Sequence, residues 1–190
     1  MKTSRLSFTL AAALLLTGAS MLTAGVADHL TKMTFSGPVE VPGKVLPAGT
    51  YMFRLLDTAG DRNVVEIFNA DQTRLEDTVL TVPDQRLKVT GKTVIQFAER
   101  PGGSPEALKA WFYPGDNTGQ QFVYPHDRAV QLAKETNEPV YATREDVNSY
   151  ASGHKKSKHD EGATKLKNAK VNVVQPGGQE TNLNSSWEQR

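Results

Sequence analysis

The chain has 190 residues, of which 38% are hydrophobic and 23% charged, and its formal net charge is +1. This length predicts one domain with extensions, and the near-neutral charge argues against nucleic-acid binding, which needs a basic excess to displace counterions from phosphates. The sequence contains no cysteine, which excludes disulfides, thiol nucleophiles, iron–sulfur clusters, cysteine-ligated zinc and a lipid-modified N-terminal cysteine.

The first 27 residues predict a secretory signal peptide. Lys2 and Arg5 make a basic start, Leu6–Leu16 is an uncharged apolar run, and small residues precede a cleavage position at Asp28. Cleavage after Ala19 satisfies the same rule. The apolar run is shorter than the roughly 20 residues of a membrane span, although an uncleaved anchor helix is the alternative. We therefore expect a periplasmic or secreted protein with no transmembrane span in its mature form.

Residues 28–142 predict an all-β domain. Short apolar runs are separated by turn residues every eight to twelve positions, with no helix between them. Tyr51–Leu56 shows the period of two that is typical of a strand with one buried face. This pattern predicts an antiparallel β-sandwich or partly open barrel of about seven or eight strands. The other predicted strands are Val39–Val41, Asn63–Phe68, Thr73–Leu80, Thr93–Ala98, and the hairpin pair Ala107–Tyr113 and Gly119–Tyr124.

The C-terminal part predicts one short helix and a polar tail. The helix is expected over Arg128–Lys134, capped by His126-Asp127, and Glu138–Ala142 is expected to add an edge strand. Residues 143–190 are too polar to offset the entropy of ordering them, and only Val171–Val174 has strand character. The predicted organisation is a signal peptide over 1–27, a β-domain over 28–142 and a disordered tail over 143–190.

The sequence lacks the common catalytic signatures. It has no G-x-S-x-G elbow, Walker loop, dinucleotide-binding glycine pattern or H-E-x-x-H pair. His154 and His159 lie among lysines that oppose a cation. We therefore predict no catalytic residue, no metal site and no cofactor. A small hydrolase would need two convergent carboxylates, and the candidates lie mostly at turns: Asp57, Asp61, Glu66, Asp71, Glu76 and Asp77.

The hairpin around Trp111 carries the candidate binding residues. If its strands pair, one aromatic set faces inward and the other could form an exposed platform that stacks on sugar rings. The alternative is that the aromatic residues stabilise the hairpin and cap the core. We expect Trp111 to belong chiefly to the core, because it lies in mid-strand rather than at a loop tip. The candidate binding residues are Trp111, Tyr113, Asp116, Asn117, Gln121 and Tyr124.

Two segments of the domain carry a resemblance. Val41–Tyr51 (VPGKVLPAGTY) and Ala110–Asn117 (AWFYPGDN) resemble a group of uncharacterised exported proteins of soil bacteria. The similarity extends roughly from Thr31 to Ala133, and it implies an exported β-domain without implying any catalytic residue. Leu46–Tyr51 is also similar to strand starts in immunoglobulin-like and transthyretin-like sandwiches, which is a likeness of architecture alone.

These observations favour a non-catalytic exported protein with a binding or cell-envelope role. Envelope components or polysaccharide are the expected partners. The alternatives are a carbohydrate-binding module that uses the hairpin 111–124 and a small hydrolase without a recognisable motif. Burial of Trp111 and Tyr113 would argue against the sugar platform, whereas two carboxylates converging in a cleft would favour the hydrolase.

Overall fold

The structure, a computed structural model, describes residues 30–56, 63–100, 102–146 and 168–183. The predicted signal peptide and its cleavage position lie outside these residues. The described part is all-β with one short helix, as the sequence predicts. None of its helices has the length and hydrophobicity needed to cross a bilayer.

The first sheet contains nine strands and remains open at its edges. Their order is β1-β4-β5-β6-β9-β8-β2-β3, and β7 pairs with β8 outside this path. The strands are β1 (Leu30–Phe35), β2 (Val39–Val41), β3 (Lys44–Leu46), β4 (Gly49–Leu56), β5 (Asn63–Asn69), β6 (Leu75–Gln85), β7 (Val94–Ala98), β8 (Glu106–Phe112) and β9 (Thr118–Phe122).

The predicted long strands and the aromatic hairpin are confirmed. In the hairpin, β8 and β9 pair antiparallel, with Trp111 opposite Gln120 and Phe112 opposite Gly119. Glycine is required at position 119, because a Cβ there would lie 2.4 Å from the Phe112 ring. The structure has more strands than the seven or eight expected. Several of the additional ones are only two or three residues long, too short for their periodicity to show in the sequence.

A second sheet follows the hairpin. It has the order β10-β11-β12-β13, and the helix α1 lies between its first two strands along the chain. Because α1 carries the chain back across the sheet, β11 runs in the same direction as β10, and the two strands pair in parallel. β2 and β8 are also parallel, so two short strand pairs depart from the antiparallel pairing of the other strands. The elements are β10 (Tyr124–Pro125), α1 (His126–Thr136), β11 (Val140–Thr143), β12 (Val171–Val174) and β13 (Glu180–Asn182).

The helix and the strand after it differ from the prediction in two details. α1 already includes His126, and its N-cap is Pro125 without a side-chain hydrogen bond, so His126-Asp127 does not cap it. β11 is not an edge strand, because β10 and β12 flank it. The helix ends at Thr136, and the C-cap residue Asn137 adopts φ 55°, a left-handed conformation that asparagine tolerates well.

Part of the predicted tail belongs to the folded domain. Val171–Val174 forms the strand that its composition suggests, and it pairs antiparallel with β11. Val171 and Leu183 pack in a cluster with Val64, Leu80 and Val82 of the first sheet. The domain therefore does not end at residue 142, because 168–183 covers apolar surface that the first sheet would otherwise expose. Residues 147–167 and 184–190 of the tail lie outside the described residues.

The main core lies within the curl of the first sheet and extends to α1. Phe53, Ile67 and Trp111 are among its fully or almost fully buried side chains, and Leu132 of α1 belongs to the same cluster. Both faces of β8 are buried, since Phe112 is also only 1% exposed. The Arg86 guanidinium covers that second face, with its Cζ atom 5.1 Å from the Phe112 ring centroid.

Candidate functional site

The structure divides the six candidate binding residues among different places. Trp111 is 2% exposed and packs against Phe53 in the core, with ring centroids 6.1 Å apart. Tyr124 is also buried, and its hydroxyl donates to the Leu108 carbonyl at 2.8 Å. Because these two large rings are buried, they do not form an exposed platform for sugar rings. The expectation that Trp111 lies chiefly in the core agrees with its position.

Three of the six candidates meet in a small cleft at the end of the hairpin. This hairpin cleft has a volume of about 80 Å³ and combines apolar and polar walls. Tyr113 is only partly buried, in contrast to Trp111. The Trp111 indole nitrogen is buried and has no hydrogen-bond partner within the part of the chain that the structure describes. The cleft is lined by Leu55, Trp111, Tyr113, Asp116, Thr118, Gly119 and Gln120.

The other candidates do not line this cleft. Asn117 lies in the turn, where its carbonyl accepts a hydrogen bond from the Arg86 amide at 2.9 Å. Gln121 pairs with Ala110 and so lies on the face of the hairpin opposite Trp111. Gln121 and Tyr124 instead border a separate cavity of about 20 Å³, which is large enough for little more than one water molecule.

A larger groove lies at the opposite end of β8. It runs between the β1–β2 turn and the β7–β8 loop, and its volume is about 560 Å³. Phe35 and Phe97 meet edge-to-face beneath it, with centroids 6.3 Å apart. We call it the Phe35–Phe97 groove. Its lining residues are Thr34, Phe35, Ser36, Gly37, Pro38, Val39, Phe97, Gly103, Ser104, Pro105 and Glu106.

Sequence reasoning missed this groove. Its two banks are Ser36-Gly37-Pro38 and Gly103-Ser104-Pro105, which look like ordinary turns in the sequence. Pro105 follows Pro38 by 67 positions along the chain. The parallel pairing of Val39 with Glu106 brings the two turns together. The composition of the turns was the only available signal, because parallel pairing between distant short strands leaves no periodic pattern.

A group of ion pairs fixes the wall behind the groove. Glu40, which follows the lining residue Val39, accepts two hydrogen bonds from Arg128 of α1, at 2.5 and 2.8 Å. Arg100 donates to the same carboxylate at 3.0 Å, and its side chain is only 4% exposed. Paired geometry of this kind orients the groups it joins. The network therefore holds β2 and the start of the β7–β8 loop against the helix.

The carboxylates considered for hydrolysis do not converge among the described residues. Glu66 accepts from Arg54 at 2.8 Å, and Asp71 accepts from the Thr73 hydroxyl within its own turn at 2.7 Å. Glu76 pairs with Arg74 and Lys44. Asp57 and Asp61 lie outside the described residues. Of the four described carboxylates, Glu66, Asp71 and Glu76 thus have structural partners. The fourth, Asp77, is buried.

Asp77 is the carboxylate with the most unusual surroundings. It is 3% exposed, and its Oδ2 atom has no hydrogen-bond partner among the described residues, while Oδ1 accepts from the Thr78 amide at 2.9 Å. Burial raises the pKa of Asp77 to about 6, against an opposing effect of the Lys44 charge. Desolvation dominates because the ionised form loses more hydration than these partners replace. Asp77 lines neither the hairpin cleft nor the Phe35–Phe97 groove.

His126 lies between two carboxylates at the start of α1. In its protonated form, Nδ1 donates to Asp127 at 2.9 Å and Nε2 donates to Glu180 at 2.5 Å. These hydrogen bonds raise the pKa of His126 above its ordinary value. Arg144 also donates to Glu180, at 2.8 Å. The group joins α1 to β13 and the end of β11. Within the described ranges, no three His, Asp or Glu side chains are grouped to hold a metal ion.

No family model, curated protein or solved structure matches this chain.

Proposed function

We propose that this chain is an exported, non-catalytic binding protein of the cell envelope, and that it holds a neutral polysaccharide strand in the Phe35–Phe97 groove. The groove carries the proposal. Its volume of about 560 Å³ lies within the range of roughly 300–1,000 Å³ that is typical of ligand sites. Export rests on the basic, apolar and small-residue order of the first 27 residues.

The chemistry of the lining supports a neutral, hydroxyl-rich ligand. Ser36 and Ser104 supply hydroxyls on opposite banks, and Phe97 supplies a partly exposed ring at the base. Hydroxyls can both donate and accept hydrogen bonds, and an aromatic face packs against the apolar face of a sugar ring. Glu106 is the one charged residue among the lining residues, so an anionic polymer would meet repulsion and no attraction.

The position of the carboxylates supports a role without catalysis. Glycoside hydrolysis uses two carboxyl groups on either side of the bond that breaks. The groove has a single carboxylate in its lining. Glu66, Asp71 and Glu76 are engaged elsewhere, and Asp77 is buried and does not line the groove. We therefore assign the groove to binding.

The test is to fill the groove and measure binding to isolated envelope polysaccharide. Gly37 lines the groove, and a Cβ at this position meets no atom within 4 Å, so Gly37→Trp should fold and occupy the groove. Gly91 is equally open but lies outside the groove, and Gly91→Trp is the matched control. We expect cosedimentation with a purified, insoluble neutral glucan to fall at least tenfold in Gly37→Trp alone. Equal binding by the two variants, or no binding by the unmodified chain, would overturn the proposal.

A further inference from the structure

The loop that joins β6 to β7, residues 86–93, exposes two large hydrophobic side chains. Leu87 is fully exposed, and Val89 is 57% exposed. Within the described ranges, Val45 is the only other exposed large hydrophobic residue. Single exposed hydrophobic side chains are ordinary, whereas apolar side chains exposed close together mark interaction surfaces. Because Leu87 and Val89 lie two positions apart, the β6–β7 loop presents a local apolar surface.

The β6–β7 loop is tied to the turn of the aromatic hairpin. The Arg86 amide donates to the Asn117 carbonyl at 2.9 Å, and the Arg86 guanidinium donates to two further carbonyls of this turn. The Thr90 carbonyl accepts from the Gly115 amide, also at 2.9 Å. Residues 87–89 lie between these two anchors and are all exposed. The hydrogen bonds therefore hold this tip of the loop outward, which reduces the ordering entropy that binding would cost.

The loop carries a positive charge. Lys88 and Lys92 are exposed, and neither side chain forms an ion pair within the described ranges. No acidic residue occurs between positions 85 and 98. Arg86 lies beside Asp116 at the base of the loop, so these two opposite charges offset each other and the lysines set the net charge. The loop therefore attracts anionic groups.

We propose that the β6–β7 loop docks this protein on a bilayer that contains anionic phospholipid. Leu87 and Val89 enter the boundary between the headgroups and the acyl chains, and Lys88 and Lys92 bind lipid phosphates. Peripheral binding depends on buried apolar area together with electrostatic attraction to anionic lipids, and the loop offers both on neighbouring residues. The docking is reversible, because two apolar side chains and two lysines provide far less than a membrane-spanning helix.

Charge favours the membrane over a second copy of the chain as the occupant of this surface. Two loops brought together would place the lysines of one against the lysines of the other, and like charges repel. The loop is also separate from the Phe35–Phe97 groove, because it packs against the turn after β8, whereas the groove includes Glu106 at the start of β8. Vesicle binding and glucan binding can therefore fail independently.

Cosedimentation with vesicles measures the docking. The chain beginning at Asp28, without the apolar N-terminal run, is compared on two kinds of vesicle. One contains equal parts of phosphatidylglycerol and phosphatidylcholine, and the other contains phosphatidylcholine alone. We expect binding to the anionic vesicles to be at least about tenfold stronger, because each lysine near an anionic surface strengthens binding by about fivefold.

Two pairs of substitutions assign the binding to the loop. Leu87→Ser should weaken binding to the anionic vesicles at least about fivefold, whereas Val45→Ser should change it by less than about twofold, because only the first removes apolar area that the bilayer buries. Lys88→Gln should weaken binding about fivefold, whereas Lys156→Gln, in the lysine-rich part of the tail, should change it by less than about twofold. Unchanged thermal unfolding shows that each variant folds.

A fluorescent label locates the contact independently of affinity. The sequence has no cysteine, and a Cβ at Gly91 or Gly37 meets no atom within 4 Å. Gly91→Cys and Gly37→Cys can therefore each carry an environment-sensitive dye, the first in the loop and the second in the groove. Anionic vesicles should shift the emission of the loop label to shorter wavelength and leave the groove label unchanged.

The proposal is overturned if the unmodified chain does not bind anionic vesicles, or if it binds phosphatidylcholine vesicles equally well. Equal weakening by Leu87→Ser and Val45→Ser, or an equal shift of the two labels, would place the contact outside the loop. Greater weakening by Lys156→Gln than by Lys88→Gln would assign the contact to the tail. Self-association that Leu87→Ser abolishes, in the absence of vesicle binding, would make a second copy the occupant.

Discussion

The ring of Trp111 on β8 meets the ring of Phe53 on β4 edge-on, with centroids 6.1 Å apart and planes inclined at 68°. β4 and β8 are four steps apart in the order of the first sheet, which would separate them by roughly 19 Å if the sheet were flat. The sheet therefore curls so that its two halves enclose a common core, and this contact lies across the curl.

Trp111→Ala should destabilise the domain strongly. The change removes the Phe53 contact and leaves a large cavity at the centre of the main core, for which the cost is about 3–5 kcal/mol. Denaturant unfolding measures it. Phe68→Ala is the comparison, because Phe68 is only partly buried, and it should cost clearly less. A loss within about 0.5 kcal/mol for Trp111→Ala, as at surface positions, would contradict the packing described here.

Removing the C-terminal strands should also destabilise the domain. A chain ending at Ala142 lacks Val171, Val174 and Leu183, each of which is buried, and burial of such a side chain contributes about 1.5–3 kcal/mol. We expect a decrease of at least about 4 kcal/mol in the free energy of unfolding on this basis. A chain ending at Leu183 retains β12 and β13 and serves as the control. If both truncated chains melt at the same temperature, the second sheet does not stabilise the first.

Asp77 should make stability depend on pH in the acidic range. Burial raises its pKa in the folded chain from 3.8 to about 6, so the folded state binds the proton more tightly than the unfolded state. The stabilisation is fully present below the unfolded pKa of 3.8, and it is lost as the pH rises through the folded value near 6. The shift corresponds to about 3 kcal/mol.

Asp77→Asn should therefore be more stable than the unmodified chain at pH 7 and should lack this component of the pH dependence. Urea unfolding of both chains between pH 4 and pH 7 gives the comparison, because contributions from other carboxylates largely cancel in the difference. A stability difference that stays constant between pH 4 and pH 7 would show that Asp77 is ionised throughout this range.

Glu180→Gln should lower the pKa of His126. Hydrogen bonds to Asp127 and Glu180 raise this pKa, and the substitution replaces one carboxylate by a neutral amide. Any stabilisation from protonated His126 is fully present below its unfolded pKa of about 6.5, and it is lost as the pH rises through the raised folded value. An NMR titration of the imidazole measures the shift. Glu145 lines a cavity of about 350 Å³ that His126 also lines, so Glu145→Gln is the control and should have the smaller effect.

Expression with the natural N-terminus should yield a product outside the cytoplasm that begins near Asp28. The expectation follows from the basic start, apolar run and small residues of the first 27 positions. Cell fractionation followed by N-terminal sequencing tests it. A soluble cytoplasmic product that retains Met1 would count against export, while a product that begins at Ser20 would move the cleavage position to follow Ala19.

The sequence by itself determined the all-β class, the long strands and the aromatic hairpin. These features are local: the alternation in Tyr51–Leu56 and the turn residues between Tyr113 and Gly119 act over a few positions. It also indicated a strand at Val171–Val174. It could not indicate that this strand belongs to the domain, because its partner β11 lies 28 positions earlier in the chain and the intervening composition is that of a polar tail.

Only the tertiary structure decided which residues form sites. Alternation along β8 suggested that either Trp111 or Phe112 would face solvent, but the curl of the sheet covers one face and Arg86 covers the other. The candidate binding residues of the hairpin consequently lie in different places, Tyr124 in the core and Asp116 at the hairpin cleft. The Phe35–Phe97 groove depends on the parallel pairing of Val39 with Glu106. Such contacts join residues far apart in sequence, and packing across the whole domain selects them, so no local pattern encodes them.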